Sequence, residues 1–274
     1  MTRTVAVTMV RDEEDIIGAT VRHMLHEVDA VLVADNRSID GTREVLRTIE
    51  EEHPGRVLVV DDPDPAYRQS AKMTALASRA RTELGAEWIV PFDADEWWYS
   101  PFGRIADVLA ELAPWSIVPA PLFDHMATSL DVVTEADPTR RLGWRRTEPN
   151  PLHKVACRWR VDLTIAQGNH DAHYITPIGR FDPVLVVRHF PYRSAEHFVR
   201  KARNGAEAYR AAGDSISADL GAHWRQWGDL LDGHGPEVLA EVYRVWYFRE
   251  DPTGCSLANG EPAAPLIFDP VVHP

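Results

Sequence analysis

Short apolar runs alternate with amphipathic segments over residues 1–98. Runs rich in β-branched and other apolar residues span 4–10, 29–35, 56–61 and 88–92. Between them, apolar residues recur at helical spacing in 13–26, 41–51 and 69–84. Strands that alternate with helices predict βα units. We therefore expect an α/β fold with a doubly wound, mostly parallel sheet and helices on both faces.

The second half of the chain carries weaker patterns. The apolar runs predict strands at 115–122, 153–159, 165–174 and 183–188, and helices at 102–112 and 195–212. The polar segment 131–150 has no clear period, which favours a loop over the site or an acceptor-facing insertion. Apolar side chains at helical spacing in 219–249 predict a packed helical tail that could also form a homodimer contact.

Composition and charge narrow the class of protein. The chain has 274 residues, of which 45% are hydrophobic, so it can bury a full core. Its net charge of −13 makes nucleic acid and anionic membranes poor partners, although a local basic patch could still hold a phosphate. The two cysteines form no motif, and no apolar run reaches membrane-spanning length. We therefore expect a cytoplasmic protein without a transmembrane segment.

Polar residues follow each predicted strand of the first half, where ligands bind in sheets of this kind. Alternation places Asp93 and Asp95 on the same side of an extended segment, and two carboxylates repel each other unless a cation lies between them. Carboxylate oxygens with room for phosphate and water suit Mg²⁺ or Mn²⁺. The alternative is a strand end whose acids cap a turn or face water. The glycine motifs of dinucleotide-binding and P-loop proteins are absent from the sequence.

Three motifs carry a resemblance to a known family. Val-Arg-Asp-Glu-Glu at 10–14, Val-Ala-Asp-Asn-Arg-Ser-Ile-Asp-Gly-Thr at 33–42 and Phe-Asp-Ala-Asp-Glu at 92–96 resemble, in order and spacing, glycosyltransferase family 2, whose nucleotide-binding half has the GT-A fold. The chain departs from the usual pattern at Asp12, where Asn is common, and at Asn36 and Arg37, where Asp-Gly or Asn-Gly is common.

The resemblance implies a role for four residues. Arg11 would lie by the base-binding loop, and Asp35 would hydrogen-bond the base, commonly uracil. Asp93 would contact the ribose or the metal, and Asp95 would ligate a divalent ion that bridges the diphosphate. It also implies three parts of the chain: a nucleotide-binding half at 1–100, an acceptor-binding and metal-site half of the same domain at 101–213, and a helical tail at 214–274.

Further candidates come from residue types near predicted strand and helix ends. Arg68 and Lys72 are candidate donors near the nucleotide. His189, at the end of a strand, could complete a carboxylate metal site, and Arg193 and Lys201 could neutralise a departing diphosphate. An inverting transfer also needs a base for the acceptor hydroxyl. The candidate catalytic residues for this role are Asp124, and Asp171 beside His170.

These observations favour a metal-dependent glycosyltransferase that moves a sugar from a nucleoside-diphosphate sugar, with a UDP-sugar favoured, to a glycan or small-molecule acceptor. Two alternatives stay open. One is a nucleotidyltransferase, although its glycine-rich phosphate loop is missing. The other is a non-catalytic module that binds a nucleotide sugar or carbohydrate.

Overall fold

The computed structural model describes residues 2–112, 116–176, 179–215, 217, 220–254, 257–258, 261–262 and 264–273. The α-helices run as follows: α1 Ile17–Glu27, α2 Thr42–Glu52, α3 Gln69–Leu84, α4 Ile105–Ala110, α5 Pro138–Arg141, α6 Ala195–Ala212, α7 Ala222–His234 and α8 Pro236–Trp246. The strands are β1 Thr4–Val10, β2 Ala30–Asp35, β3 Val57–Asp61, β4 Trp88–Pro91, β5 Glu96–Tyr99, β6 Ile117–Asp124, β7 Ala127–Thr128, β8 Trp144–Arg145, β9 His153–Arg158, β10 Thr164–Ile165, β11 Ala172–His173, β12 Val186–His189, β13 Phe248–Arg249, β14 Leu257–Ala258, β15 Glu261–Pro262 and β16 Ile267–Phe268.

Eight strands form the central sheet, in the order β3-β2-β1-β4-β9-β6-β12-β5. The strands β3, β2, β1 and β4 are parallel to one another, and β6 is parallel to β12. Only β9 and β5 run against their neighbours in this sheet. The predicted α/β fold with a mostly parallel sheet is therefore confirmed.

Helices cover both faces of the sheet, as the apolar strand patterns predict. On one face, α1 and α2 pack through Met24 and Leu46 against a core that includes Ala6 of β1. On the other face, α3 packs through Met73 against a core that includes Val5. Because side chains alternate along a strand, neighbouring residues of β1 serve opposite cores.

A third core joins α6, α7 and α8 beside the sheet. Phe198 of α6, Leu239 of α8 and Phe190, which follows β12, are fully buried there. The C-terminal region therefore contains the predicted packed helices. Among the helices of the described ranges, none is both long and apolar enough to cross a bilayer.

The structure differs from the predicted elements in three places. A strand, β5, begins at Glu96 directly after the acidic turn, and it pairs with β12. The strand predicted at 165–174 is instead a small hairpin of β10 and β11 around a 3-10 turn at Gln167–Asn169, and it does not pair with β9. The predicted tail also carries the short strands β13 to β16. Trp115, Asp219 and Cys255, at which predictions were made, lie outside the described residues.

Candidate active site

A cleft of about 270 Å³ opens at the carboxyl ends of β1, β2 and β4 and is covered by α6 and α7. Its lining includes residues from four of the predicted clusters. They are Arg11, Glu13, Asn36, Asp93, Asp95, His189 and Lys201. The parallel strands explain this convergence, because their carboxyl ends meet at one edge of the sheet.

A tight turn positions the acidic motif between β4 and β5. The Glu96 N–H donates to the Asp93 carbonyl at 3.0 Å. Asp93 Oδ1 accepts hydrogen bonds from Gln69 and Asn169, both at 3.1 Å. These two amides and the turn fix the direction in which the Asp93 carboxylate points.

Lys154 is a buried ammonium group below this turn. Its Nζ lies 2.7 Å from Asp93 Oδ2, 2.7 Å from Glu96 Oε1 and 2.8 Å from the Gly168 carbonyl. Burial opposes the charged form, but Asp93 and Glu96 outweigh burial and raise the pKa of Lys154. Asp93 therefore has a cationic partner of its own in the structure.

Three neighbouring strands align a row of side chains at the floor of the cleft. The register pairs His189 with Glu96 on one side and with Asp124 on the other. His189 Nδ1 lies 2.8 Å from Asp124 Oδ1, and His189 Nε2 lies 3.7 Å from Asp95 Oδ1. His189 therefore lies beside the acidic motif, and Asp124 holds its imidazole.

Lys201, from α6, forms an ion pair with Asp95 Oδ2. Burial alone would raise the pKa of Asp95, but the charges of Lys201 and His189 outweigh burial and lower the pKa to about 2. Burial lowers the pKa of His189, whereas Asp95 and Asp124 raise it further and leave the net shift upward. The cleft thus holds an ionised Asp95 carboxylate between the Lys201 ammonium and the His189 imidazole.

Arg193 does not lie at the cleft. Its guanidinium is buried, donates to Asp15 Oδ2 at 2.8 Å and forms an ion pair with Glu13. A group enclosed in this way cannot reach a diphosphate, so the structure corrects the predicted role. Instead, Arg193 ties the start of α6 to the loop after β1.

The predicted base-binding loops lie together above β1 and β2. Asp12 adopts a φ of 56°, a region in which Asn and Asp are enriched among residues other than glycine. Its Oδ1 accepts the Ile39 N–H at 2.7 Å, and its Oδ2 accepts from Asn204 at 2.7 Å. Asp12 therefore joins the loop after β2 and the helix α6 to the end of β1. Arg11 lines the cleft beside it.

Asp35 is buried at the end of β2, where its Oδ1 accepts the Ser38 N–H at 3.1 Å. Arg68 and Lys72 lie outside the cleft lining. Arg68 borders a different groove, and Lys72 Nζ is 2.7 Å from Asp62 Oδ2. These two residues stabilise the loop after β3 and are not placed to contact a ligand in the cleft.

The second pair of base candidates also lies away from the cleft lining. Asp171 forms an ion pair with Arg180, and His170 Nδ1 lies 2.7 Å from the His153 carbonyl. Asp124 differs, because it holds His189 and also lines a small pocket that adjoins the cleft. Of the predicted bases, only Asp124 is brought to the site.

Sequence reasoning missed several cleft residues, including Tyr67, Gln69 and Asn204. The first two lie at the start of α3, where no motif distinguishes them from helix-start residues. Lys154 was also missed, although it carried a signal: it is one of only three lysines among 29 basic residues.

The nucleotide-binding motifs lie in a segment that matches a known family. Residues 5–113 match the model of glycosyl transferase family 2. No curated protein matches the chain in sequence. Three solved structures resemble it at a distance. A mannosyltransferase, PcManGT from Pyrobaculum calidifontis in complex with GDP-Man and Mn²⁺, is 15% identical, with 89% of this chain and 87% of that chain covered and a TM-score of 0.42.

The other two have lower TM-scores. S. aureus TarS 1-349 in complex with UDP is 10% identical, with coverage of 80% and 74% and a TM-score of 0.39. Glucosyl-3-phosphoglycerate synthase from Mycobacterium tuberculosis, in complex with Mn²⁺, UDP and glucosyl-3-phosphoglycerate, is 20% identical over 44% of each chain, with a TM-score of 0.30.

The matched segment, which is about two-fifths of the chain, is similar to a glycosyltransferase, and it contains the parallel strands β1 to β4 that form one side of the cleft. The family match covers all three motifs at 10–14, 33–42 and 92–96, so the predicted resemblance to family 2 is confirmed. The prediction of an enzyme is confirmed with it.

Proposed function

We propose that the protein transfers a sugar from a nucleoside-diphosphate sugar to a hydroxyl group of a glycan or small-molecule acceptor. The observation that carries the proposal is the row of Asp95, His189 and Asp124 at the floor of the cleft that the family motifs line. A UDP-sugar is favoured on the family resemblance alone.

We further propose that Asp95 and His189 hold a divalent ion, Mn²⁺ or Mg²⁺. Within the described ranges, no three His, Cys, Asp or Glu side chains are grouped as metal ligands. The protein would therefore supply two ligands, and diphosphate and water would supply the others, as Mg²⁺ sites commonly allow. The donor set fits, because Asp124 fixes His189 Nδ1 and leaves Nε2 directed at Asp95. When bound, such an ion would act as a Lewis acid toward the leaving diphosphate.

The chain's own residues would bind and orient the donor. Asp93, which is held by Lys154 and is 30% exposed, is our candidate for the ribose hydroxyls. Arg11 and Asp35 are our candidates at the base. The Lys201 ammonium, beside Asp95, would neutralise charge that develops on the diphosphate.

Asp124 is our candidate for the base. Burial alone would raise its pKa, but hydrogen bonds from His189 and Asn150 outweigh burial and lower the pKa, so the carboxylate is ionised at neutral pH. Its Oδ1 and Oδ2 already accept these bonds at 2.8 and 3.1 Å, and each oxygen keeps a second lone pair.

Thermal stabilisation by a panel of nucleoside diphosphates, with and without Mn²⁺, tests the proposal. A ligand at 100 times its dissociation constant adds about 2.7 kcal/mol to the stability of the native state. For a chain of this size, this corresponds to a rise in melting temperature of about 5–10 °C. We expect a metal-dependent shift for one base, accompanied by transfer from the matching nucleotide sugar.

Substitution of Asp95 tests the metal assignment. Asp95→Asn should abolish the Mn²⁺-dependent part of the shift and sugar transfer. The matched control is Asp61→Asn, which makes the same charge change at the same edge of the sheet on a side chain that is 80% exposed, and it should change neither. Asp124→Asn should weaken Mn²⁺ binding by about 10–100-fold. Transfer that survives Asp95→Asn would contradict the metal site, and nucleotide binding without any transfer would favour a binding module.

A further inference from the structure

A small pocket adjoins the cleft beside the proposed base. Its lining includes Asp124, Met126, Pro191, Tyr192 and Tyr247. Two of these residues, Pro191 and Tyr192, also line the cleft, so the pocket and the cleft share a wall. A group that enters the pocket would therefore lie next to the Asp124 carboxylate and close to the proposed donor site.

His189 separates this pocket from the proposed metal site. Its Nδ1 lies 2.8 Å from Asp124 Oδ1, and its Nε2 lies 3.7 Å from Asp95 Oδ1. An oxygen bonded to Asp124 and a diphosphate beside Asp95 would thus lie at opposite ends of one imidazole ring. The anomeric carbon of a donor sugar would then lie between the attacking oxygen and the leaving group, as a displacement at that carbon requires.

The pocket is narrow, with a volume of about 40 Å³. One water molecule needs about 10–15 Å³ of such space, so the pocket holds roughly three atoms of that size. A terminal hydroxymethyl group brings its oxygen, its carbon and the one carbon to which it is attached. A secondary hydroxyl brings a second carbon at the branch, and this fourth atom exceeds the volume.

Packing fixes the width of the pocket. The rings of Tyr192 and Tyr247 lie 4.2 Å apart between their centroids. Phe198 of α6 is fully buried, and its ring centroid lies 5.0 Å from that of Tyr192 and 5.3 Å from that of Tyr247. Met126, which lines the same pocket, is only 3% exposed. Because these side chains belong to close-packed surroundings, the pocket cannot widen without repacking them.

We infer that this pocket selects the acceptor hydroxyl: it admits an unbranched terminal hydroxymethyl group and excludes hydroxyls on branched carbons, with Tyr247 as a specificity-determining residue. This inference rests on the proposed function, because it names the substrate class of the same site. In the reaction, the hydroxyl oxygen forms a bond to the anomeric carbon, and its proton passes to the Asp124 carboxylate. The bond from the anomeric carbon to the diphosphate oxygen breaks, and the diphosphate leaves with that electron pair.

Transfer to glycerol tests the inference, because glycerol carries two primary hydroxyls and one secondary hydroxyl on one small molecule. The donor is the nucleotide sugar that the thermal panel and the transfer assay identify, and NMR gives the ratio of primary to secondary products. For the wild type, we expect a preference for the primary hydroxyls at least about tenfold above their two-to-one statistical share, since one carbon atom more in a tight site is discriminated by about that factor.

Tyr247 is the residue to change, because it lines the pocket but not the cleft. Tyr247→Leu removes the ring and should lower the preference by about fivefold or more, whereas Tyr247→Phe keeps the ring and should retain the wild-type ratio. Met126→Ala widens the pocket independently and should act in the same direction as Tyr247→Leu. Tyr243→Leu is the matched control, because Tyr243 packs in the same core but borders an outer hollow and not the pocket. It should leave the ratio unchanged, and thermal melts of all four variants separate loss of folding from loss of selectivity.

A wild-type ratio near the statistical share would overturn the inference, as would the absence of transfer to glycerol by protein that binds and hydrolyses the donor. A ratio unchanged in both Tyr247→Leu and Met126→Ala would also overturn it, because the preference would then reflect the reactivity of the hydroxyls. An equal change in Tyr243→Leu would do the same, because selectivity would then depend on the core as a whole. The failure of the proposed function differs, since no nucleoside diphosphate would then shift the melting temperature.

Discussion

Replacement of Lys154 by methionine removes the ammonium group between Asp93 and Glu96 and keeps a long, unbranched side chain. The lysine is 4% exposed and donates to both carboxylates and to the Gly168 carbonyl. Its loss leaves Glu96, which is fully buried, without its cation. Removal of one partner from a buried ion pair typically costs about 3–5 kcal/mol.

The size of the stability loss is set by the free energy of protonating Glu96. Burial raises the pKa of Glu96, and Lys154 is the main opposing charge. Without Lys154, we expect Glu96 to carry a proton in the folded protein. At pH 7, protonating a carboxyl whose ordinary pKa is 4.5 costs about 3.4 kcal/mol, at about 1.36 kcal/mol per pH unit. Asp93 adds little, because it is partly exposed and keeps the hydrogen bonds from Gln69 and Asn169. The expected loss is about 3–4 kcal/mol.

The protonation of Glu96 also sets how the stability loss of Lys154→Met depends on pH. In the variant, folded Glu96 binds a proton that the unfolded chain releases above pH 4.5, so the loss should shrink by about 1.4 kcal/mol per unit as pH falls from 7 toward 4.5. Urea unfolding at pH 7, 6 and 5 measures the free energy of unfolding of the wild type and of Lys154→Met. Addition of Glu96→Gln should remove most of the loss at pH 7.

A surface pair provides the control for charge removal. Arg47→Met breaks the pair with Glu51, in which both side chains are about two-thirds exposed, and it should cost less than about 1 kcal/mol at each pH. A loss in Lys154→Met as small as that of the control, or one that does not change with pH, would contradict the assignment of Lys154 as the cation that keeps Glu96 ionised.

Two further predictions concern stability. Burial, the largest cause, lowers the pKa of His125 from 6.5 to about 3. Below pH 6.5 the unfolded chain therefore binds more protons at this residue than the native protein does, so the free energy of unfolding should fall by about 1.4 kcal/mol for each unit by which the pH is lowered. His125→Gln should remove this contribution in urea unfolding, and an unchanged pH dependence would contradict the assignment. A Cβ added at Gly205 would lie 2.3 Å from Trp224 Cε3, so Gly205→Ala should cost about 1–3 kcal/mol, whereas Gly233→Ala, with no atom near its new Cβ, should add up to about 1 kcal/mol. Thermal melts in which both glycine variants shift in the same direction would contradict the packing of α6 on α7.

Local signals predicted the bounds of several regular elements closely. The bounds of β1, α3 and α6 agree with the patterns to the residue, and two of these helices have clear end signals. Gly85 ends α3 with a φ of 70°, and Ser194 caps α6 by accepting the His197 N–H. Such signals depend only on neighbours in sequence, so a single chain is enough to read them.

The pairing of strands that lie far apart in the sequence could not be predicted in this way. The strand β5 is only four residues long and owes its place to β12, which lies far along the chain. The row of Asp95, His189 and Asp124 has the same origin. Each residue was a candidate alone, but only the sheet register shows that Asp124 holds the imidazole. The predicted phosphate contact of Arg193 was wrong because its partners, Glu13 and Asp15, lie at the other end of the chain and could not be foreseen.

The few lysines of this arginine-rich chain lie at one edge of the sheet. The three lysines of the chain all pair with carboxylates at the carboxyl edge of the sheet, as follows: Lys72 with Asp62, Lys154 with Asp93 and Glu96, and Lys201 with Asp95. An ammonium is a compact charge with three donors, so it fits between carboxylates in a space where a planar guanidinium would need a wider opening. Lys201 would share the Asp95 carboxylate with any ion held there, so its ammonium would lie close to a diphosphate bound to that ion. The same carboxylate therefore couples the proposed metal site to the proposed phosphate contact.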